Sequence, residues 1–307
     1  MSWRSHVRGI GERILLASGI PNVVRAMRNN DVLVLAYHNI LPGGAPAVGD
    51  RSLHLPQRSF TAQLDWLRDR CSVVSLDDAL SAPLPAAPST PRIAITFDDA
   101  YRGAVTVGVP ELVARGLPAT IFVAPTFVGG GTFWWDVLAQ PAEAGLDAGV
   151  RHHALEACRG EDAVVREWAR SAGQQEEPMP GYATCASEDE LRAAAAQSGI
   201  SVGSHTWSHA NLTRLDGEAL CSELKRPLAW LEERFSGVSR TLSYPYGSCS
   251  AHVARAAAAA GYRAGLRIDG GWIRGRPRDP FAIPRLNVPA GLSIDGFILR
   301  TAGLLCR

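Results

Sequence analysis

A distorted (β/α) barrel of seven to eight parallel strands, carrying one helical insertion, is the fold that this 307-residue sequence predicts. Three observations predict it. About eight apolar runs of strand length recur along the chain, among them residues 32–38, 93–97 and 119–123. Helical patterns separate most of them, so each return to the sheet needs a crossover, and crossovers pair strands in parallel. A hydrophobic content of 46% lets the chain bury one large core or two modest ones, and at this length the unbroken strand–helix alternation favours a single barrel.

The first 30 residues stand apart from the barrel expected over 31–307. Arg4, Arg8, Arg13, Arg25 and Arg28 face only Glu12 there, and Trp3, Val7, Ile10 and Ile14 step along one helical stripe. Residues 14–17 are too short an apolar core for a signal peptide, and no small-residue cleavage pattern follows. The stripe is expected to cap the domain. The alternative is a peripheral membrane contact through residues 3–28, with the helix resting on anionic lipid.

After the strand at 32–38, Leu41-Pro42-Gly43-Gly44 opens a loop to about Pro56. Ser59, followed by Phe60, Leu64 and Leu67, reads as a capped amphipathic helix, and Val73-Val74 as a short strand. Asp77 and Asp78 then lead into a helical pattern, where the helix dipole favours acids. Residues 83–91 are a proline-rich connector before the strand at 93–97, and Gly116 ends a helix over 109–115. Further strands are expected at 200–203, 241–244, 263–268 and 281–286, with helices over 216–235, 251–260 and from Ser293. Residues 128–187 break the rhythm with three glycines, the cluster Phe133-Trp134-Trp135-Asp136 and charged helical sequence. This insertion is expected to border the site. Its glycines lack the Lys-Ser/Thr of a phosphate loop.

A formal charge of +1 argues against a nucleic-acid partner. The six cysteines form no CxxC pair and read as reduced thiols, so a cytoplasmic location is expected, with contact at the inner face of the membrane as its variant. No apolar run reaches the roughly 20 residues of a spanning helix.

The chemistry is expected at the carboxyl ends of the strands, where acids reach solvent. Asp98 and Asp99 end the strand at 93–97, and His205 and His209 follow the one at 200–203. Two imidazoles and one carboxylate leave open positions on a divalent ion, and the second carboxylate is then free to accept a proton from water. The position matters more than the pair, because Asp77-Asp78 has a helix-start explanation.

Thr96-Phe97-Asp98-Asp99, His205-Thr206-x-x-His209 and Ser243-Tyr244-Pro245-Tyr246-Gly247 resemble, in order and spacing, the motifs of the polysaccharide deacetylase family, carbohydrate esterase family four. The likeness runs from about Val32 to Val288, and Tyr37-His38 with residues 133–136 is similar to a branch found with bacterial exopolysaccharide and surface-glycan genes. The resemblance implies metal-dependent removal of acetyl groups, usually N-acetyl groups, from amino sugars of a glycan or a lipid-linked sugar. It implies Asp98 as general base, and Asp99, His205 and His209 as ligands of a divalent metal, zinc first, with cobalt, nickel and manganese open. Thr206 would pin the turn between the histidines. Tyr246, preceded by Pro245, would line the acetyl pocket and offer its amide to the oxyanion. Trp207, with Trp134 and Trp135, is a candidate platform for sugar rings, although paired tryptophans are ordinarily core residues.

Two departures shape further expectations. Ser243 stands where the family carries an arginine that orients the base; Arg285 is expected to supply that charge, its replacement by alanine costing turnover far more than folding. The family's late histidine, the general acid, is missing near Leu286-Asn287-Val288, and His38 is the substitute acid or substrate contact. Cys249 has no local histidine partner and is rejected as a nucleophile. An O-acetyl ester or small amide as substrate, and a glycan-binding barrel without turnover, are the competing readings.

Overall fold

The computed structural model describes residues 3–81, 90–140, 145–275 and 277–305. Residues 83–89 of the proline-rich connector, the side chains of Trp3, Arg4, Val7 and Arg8, and Cys306 lie outside the described residues.

Six parallel strands form the body of a curled sheet: β1 (Asp31–Tyr37), β2 (Arg92–Phe97), β3 (Ala119–Val123), β4 (Ile200–Ser204), β5 (Val238–Ser243) and β6 (Ala264–Leu266). They neighbour one another in that order. The continuous strand expected at 281–286 is broken. Ile283 bridges in parallel to Leu266 of β6, and β7 (Leu286–Asn287) pairs in parallel with Leu35 and Ala36 of β1. Pro284, which has no N–H to donate, sits where the segment passes from one partner strand to the other. This divided strand closes the ring between β6 and β1.

Alternation along β1 shows how the strands are covered on both faces. Leu33, Leu35 and Tyr37 join the outer core with Phe60, Leu64 and Leu67 of α3 (Gln57–Arg70), while Val32 and Val34 face the barrel interior with Ala94, Phe122 and Ile283. Higher in the same interior the lining turns polar, with Thr96, Asp98, Ser204, Ser243 and Arg285 all buried. The apolar plug below and the polar layer above place the chemistry at the carboxyl ends of the strands.

Details differ from the sequence reading where local signals mislead. Helix α3 begins at Gln57 with Pro56 at its cap, so Ser59 lies inside the first turn. The expected loop between β1 and α3 contains a short parallel pair, Asn39–Leu41 with His54–Pro56. In the insertion, α4 (Ala148–Glu156) and α5 (Asp162–Ser171) follow a single turn at Trp134–Val137. Helix α6 (Glu188–Ala195) opens with a capping box from Ser187 and Glu190, α7 spans Gly217–Arg234, and α8 spans Ala251–Ala259.

Two N-terminal helices, α1 (Trp3–Ala17) and α2 (Ile20–Ala26), replace the single one expected, with Gly19 at φ 74 between them. α1 packs on α9 (Ile294–Thr301) through its polar side: Ser293, the N-cap of α9, donates to the buried Glu12 carboxylate at 2.7 Å. The described part of the apolar stripe does not cap the domain; Ile10 and Ile14 are exposed. Among the described residues, no helix is long and apolar enough to cross a membrane. Five free cysteines are seen there.

Candidate metal centre and catalytic cleft

A cavity of about 250 Å³ opens at the carboxyl ends of β1, β2, β4 and β5, lined by His38, Asp98, Asp99, Trp134, Trp135, Arg151, His205, His209, Tyr246 and others. Backbone geometry marks the same place. Six non-glycine residues have positive φ among the described residues, and five of them are Asp99, Ala100, Thr206, His209 and Tyr246. Each such residue costs about 1–2 kcal/mol, and strain of this kind persists where the surrounding structure enforces it. At Thr206 (φ 65) and His209 (φ 57) it turns the chain so that both imidazoles face inward.

Asp99, His205 and His209 converge. Asp99 Oδ1 lies 3.4 Å from Nε2 of each histidine and is buried without a hydrogen-bond partner. His205 Nδ1 donates to the Ser243 carbonyl at 2.8 Å, which leaves the Nε2 lone pair directed at Asp99. Burial, and next the neighbouring His205, push the His209 pKa down to about 3, so its imidazole is neutral near pH 7. Burial opposes charge on Asp99 as well, but contact with His205 and the field of His209 outweigh it and the carboxyl titrates below its usual range.

These residues fit a divalent metal. With both imidazoles neutral and presenting Nε2, as metal ligation requires, three acceptor atoms meet within reach of one cation. Ligands about 2.0–2.2 Å from a tetrahedral ion stand about 3.3–3.6 Å apart, which the observed 3.4 Å matches.

Asp98 is turned away from this triad and gripped by Arg285. The guanidinium donates to Oδ1 at 2.8 Å and to Oδ2 at 2.7 Å, with both side chains nearly fully buried. It also donates to Thr96 Oγ1, Ser243 Oγ and the Arg267 carbonyl. Ser243 Oγ in turn donates to Asp98 Oδ1 at 3.1 Å, so the serine in the arginine position belongs to the same cluster. Burial works to raise the Asp98 pKa; the Arg285 charge, aided by His205, overcomes it and holds the carboxyl far below the usual carboxylate range. Full burial of Arg285 also corrects the expectation that its loss would largely spare folding.

The remaining candidates divide. His38, at the end of β1, lines the cavity with Asp98, Asp99 and Asn287. The Tyr246 ring stands edge-on to His209 at 4.9 Å; its hydroxyl donates to the Gly160 carbonyl and accepts from Trp134 Nε1. Pro245 is buried in the turn behind Tyr246. Trp207 is not brought to the cavity. The bend at Thr206 sends its side chain outward, where the Arg226 guanidinium lies 3.9 Å from the indole centre and Glu223 holds the amides of residues 207 and 208. Thr206 does not pin the turn through its hydroxyl, which has no hydrogen-bond partner; its amide donates to Ser204 Oγ instead. Trp134 and Trp135 line the wall but are almost fully buried, which leaves little ring face for a sugar. Burial raises the Cys249 thiol pKa, and the sulfur contacts the Ser250 and Phe281 carbonyls.

A directed chain of hydrogen bonds behind Trp135 escapes the sequence reading. Asn39 Nδ2 donates to His54 Nδ1 at 2.9 Å, so His54 carries its proton on Nε2 and donates to Asp136 Oδ1 at 2.9 Å. Tyr101 donates to Asp136 Oδ2 at 2.5 Å and accepts from Trp135 Nε1 at 3.0 Å. Burial, reinforced by Asp136, keeps the Tyr101 phenol protonated. The chain fixes the Trp135 indole 4.9 Å from the His209 ring. Asp136 in the Phe-Trp-Trp-Asp cluster was the one visible signal for it; Arg151, paired with Asp50 at the mouth, had none.

Comparison with known proteins agrees with this geometry. The family model described as polysaccharide deacetylase matches residues 86–265. YxkH of Bacillus subtilis (strain 168), assigned by name to the polysaccharide deacetylases, is 25% identical over 266 residues, covering 86% of this chain and 74% of that protein. The Streptococcus pyogenes deacetylase PplD, solved with acetate, superposes with a TM-score of 0.60 at 18% identity, covering 88% of this chain and 97% of its own. IcaB from Ammonifex degensii superposes with a TM-score of 0.60 at 20% identity, covering 90% and 97%. With its matched segment spanning the strand-end acids, both histidines and the Tyr-Pro-Tyr-Gly turn, the chain belongs to the polysaccharide deacetylase family.

Proposed function

We propose that this protein is a metal-dependent hydrolase that removes N-acetyl groups from amino sugars of a glycan or a lipid-linked glycan precursor. The observation that carries the reading is the division of labour between adjacent acids: Asp99 faces two imidazole nitrogens at 3.4 Å, while Asp98 is held apart by Arg285. A site for binding alone has no use for the second carboxylate.

Asp99, His205 and His209 would hold the ion, zinc by the chemistry of one oxygen and two nitrogen donors. When bound, it supplies Lewis acidity toward a carbonyl and makes hydroxide available near neutrality. Asp98 accepts the proton of the attacking water; its fixed position, both oxygens aligned by Arg285, sets the direction from which that proton leaves. His38, across the cavity, donates a proton to the departing amine nitrogen. Trp134, Trp135 and Tyr246 form the closed wall beside His209, a small apolar recess suited to an acetyl methyl. The acetate bound in the structure of PplD is the product this reaction releases.

The glycan-binding alternative rests on the missing arginine and the missing late histidine; against it stand the Arg285–Asp98 pair, which offers an orienting charge from another strand, and His38, which lines the same cavity. The test is acetate release from N-acetylated glycans and lipid-linked sugars, with metal-stripped protein and Asp98→Asn beside wild type. Release that requires both metal and Asp98 supports the proposal. No release from any substrate sinks it, and release from O-acetyl esters alone favours the ester reading.

A further inference from the structure

We propose that Glu223, on α7, is the positioning residue that sets the turn between His205 and His209, which rests on the metal-binding reading of those histidines and on no choice of substrate. Its carboxylate meets three donors from two successive residues of the turn. Oε2 accepts from the backbone amides of Trp207 and Ser208, each at 3.0 Å, and Oε1 accepts from Ser208 Oγ at 2.8 Å. One turn further along the same helix, the Arg226 guanidinium lies 3.9 Å from the centre of the Trp207 indole. Helix α7 therefore grips residues 207 and 208 through charge-assisted hydrogen bonds and a cation–π contact.

The turn needs such a hold. Thr206 and His209 both have positive φ, a conformation that a side-chain-bearing residue keeps only where its surroundings enforce it. The turn's own polar atoms do not enforce it. Among the described residues, nothing pairs with Thr206 Oγ1 or, outside its own residue, with His209 Nδ1, although both atoms are buried. A ligating histidine is ordinarily aimed by a partner on its other ring nitrogen, as His205 Nδ1 is by the Ser243 carbonyl. His209 lacks that partner, so its Nε2 is aimed through its backbone, and Ser208, the residue before it, is fixed on Glu223.

The anchor itself is rigid. Leu220, Leu224, Leu228 and Leu231 are buried along α7, so the helix stays packed whatever stands at the half-buried position 223.

The test compares wild type with three variants by isothermal titration with zinc and by the visible d–d spectrum of the cobalt-loaded protein. Glu223→Ala removes every contact. Glu223→Gln can keep all three, its amide oxygen accepting from both N–H groups while its NH2 donates to a reversed Ser208 hydroxyl. Glu223→Asp keeps the charge but withdraws it by one methylene. Zinc affinity should fall about 10–100-fold in the alanine and aspartate variants and stay within about threefold of wild type in the glutamine variant. The cobalt spectrum should change in the first two only. A lowered melting temperature with unchanged zinc affinity would reduce Glu223 to a helix anchor and overturn the proposal. Loss in the glutamine variant with retention in the aspartate variant assigns the effect to charge and overturns it as well. Should Glu223→Ala not fold, the glutamine and aspartate variants carry the same comparison. Wild type that binds no zinc brings down the metal reading and this assignment together; variants that bind as well as a zinc-binding wild type bring down this assignment alone.

Discussion

Arg285 clamps both oxygens of Asp98 across 187 positions of sequence, reaching it from the divided strand that closes the barrel. Each needs the other. Asp98 would be a buried, uncompensated anion without the guanidinium, and Arg285, with no exposed surface, would be a stranded cation without the acid.

Arg285→Ala is therefore expected to cost about 3–5 kcal/mol of stability, read by denaturant unfolding at pH 7. The pH dependence follows from the sign of the Asp98 shift. A depressed folded pKa contributes stability that is present above the unfolded value and is lost as pH falls through the folded one. Without Arg285 that contribution disappears, and burial drives the Asp98 pKa upward. The acid limb of kcat/KM should move to higher pH, whereas Arg285→Lys should fall between variant and wild type. An unmoved acid limb in Arg285→Ala would show that Asp98 is not the group that limits activity in acid.

Removal of one metal ligand should be tested by binding as well as by rate. His209→Ala leaves Asp99 Oδ1 and one imidazole, and its affinity for zinc in isothermal titration should fall at least about tenfold, since losing even a group that only orients a ligand costs that much. Asp98→Asn should bind zinc as wild type does and yet lose about 10²–10⁴ in kcat. Equal zinc loss in both variants would contradict the division between the two acids.

His38→Gln separates leaving-group protonation from attack. An acetamide expels a strongly basic amine and needs a proton donor; a p-nitrophenyl ester does not. The variant should lose about 10²–10⁴ in kcat on an N-acetylated sugar and much less on p-nitrophenyl acetate. Parallel losses on the two substrates would assign His38 to binding instead.

Tyr101→Phe should destabilise the protein by about 1–3 kcal/mol for each polar atom left unpaired, here Trp135 Nε1 and Asp136 Oδ2. Freed from its anchor, the Trp135 indole should also lose its fixed near-ultraviolet circular dichroism. A wild-type melting temperature together with an unchanged spectrum would show that the chain from Asn39 to Trp135 holds nothing in place.

Much of this architecture was legible because its signals are local. Apolar runs such as 32–37 and 93–97 name their strands, and the acids and histidines stand immediately after strands, where a barrel displays chemistry. The Arg285 partnership could be anticipated from the family resemblance, since the arginine that the family carries is replaced by Ser243. What remained hidden depends on long-range placement or on backbone angles. Trp207 was drawn toward the site by its neighbours His205 and His209, yet the positive φ at Thr206 reverses its direction. The Asn39–His54–Asp136–Tyr101 chain joins four separate segments and has no spacing to reveal it. The apolar stripe of α1 announced a helix correctly, but periodicity cannot say whether a stripe faces protein or solvent.

Closure of the ring by residues 283–287 bears on how the chain is born. A ribosome releases Asp98 long before Arg285, so throughout most of synthesis the acid has no counter-charge and the polar layer of the barrel has no reason to dry. Only when residues 283–287 have emerged and docked against both edges does Asp98 meet the guanidinium that holds it.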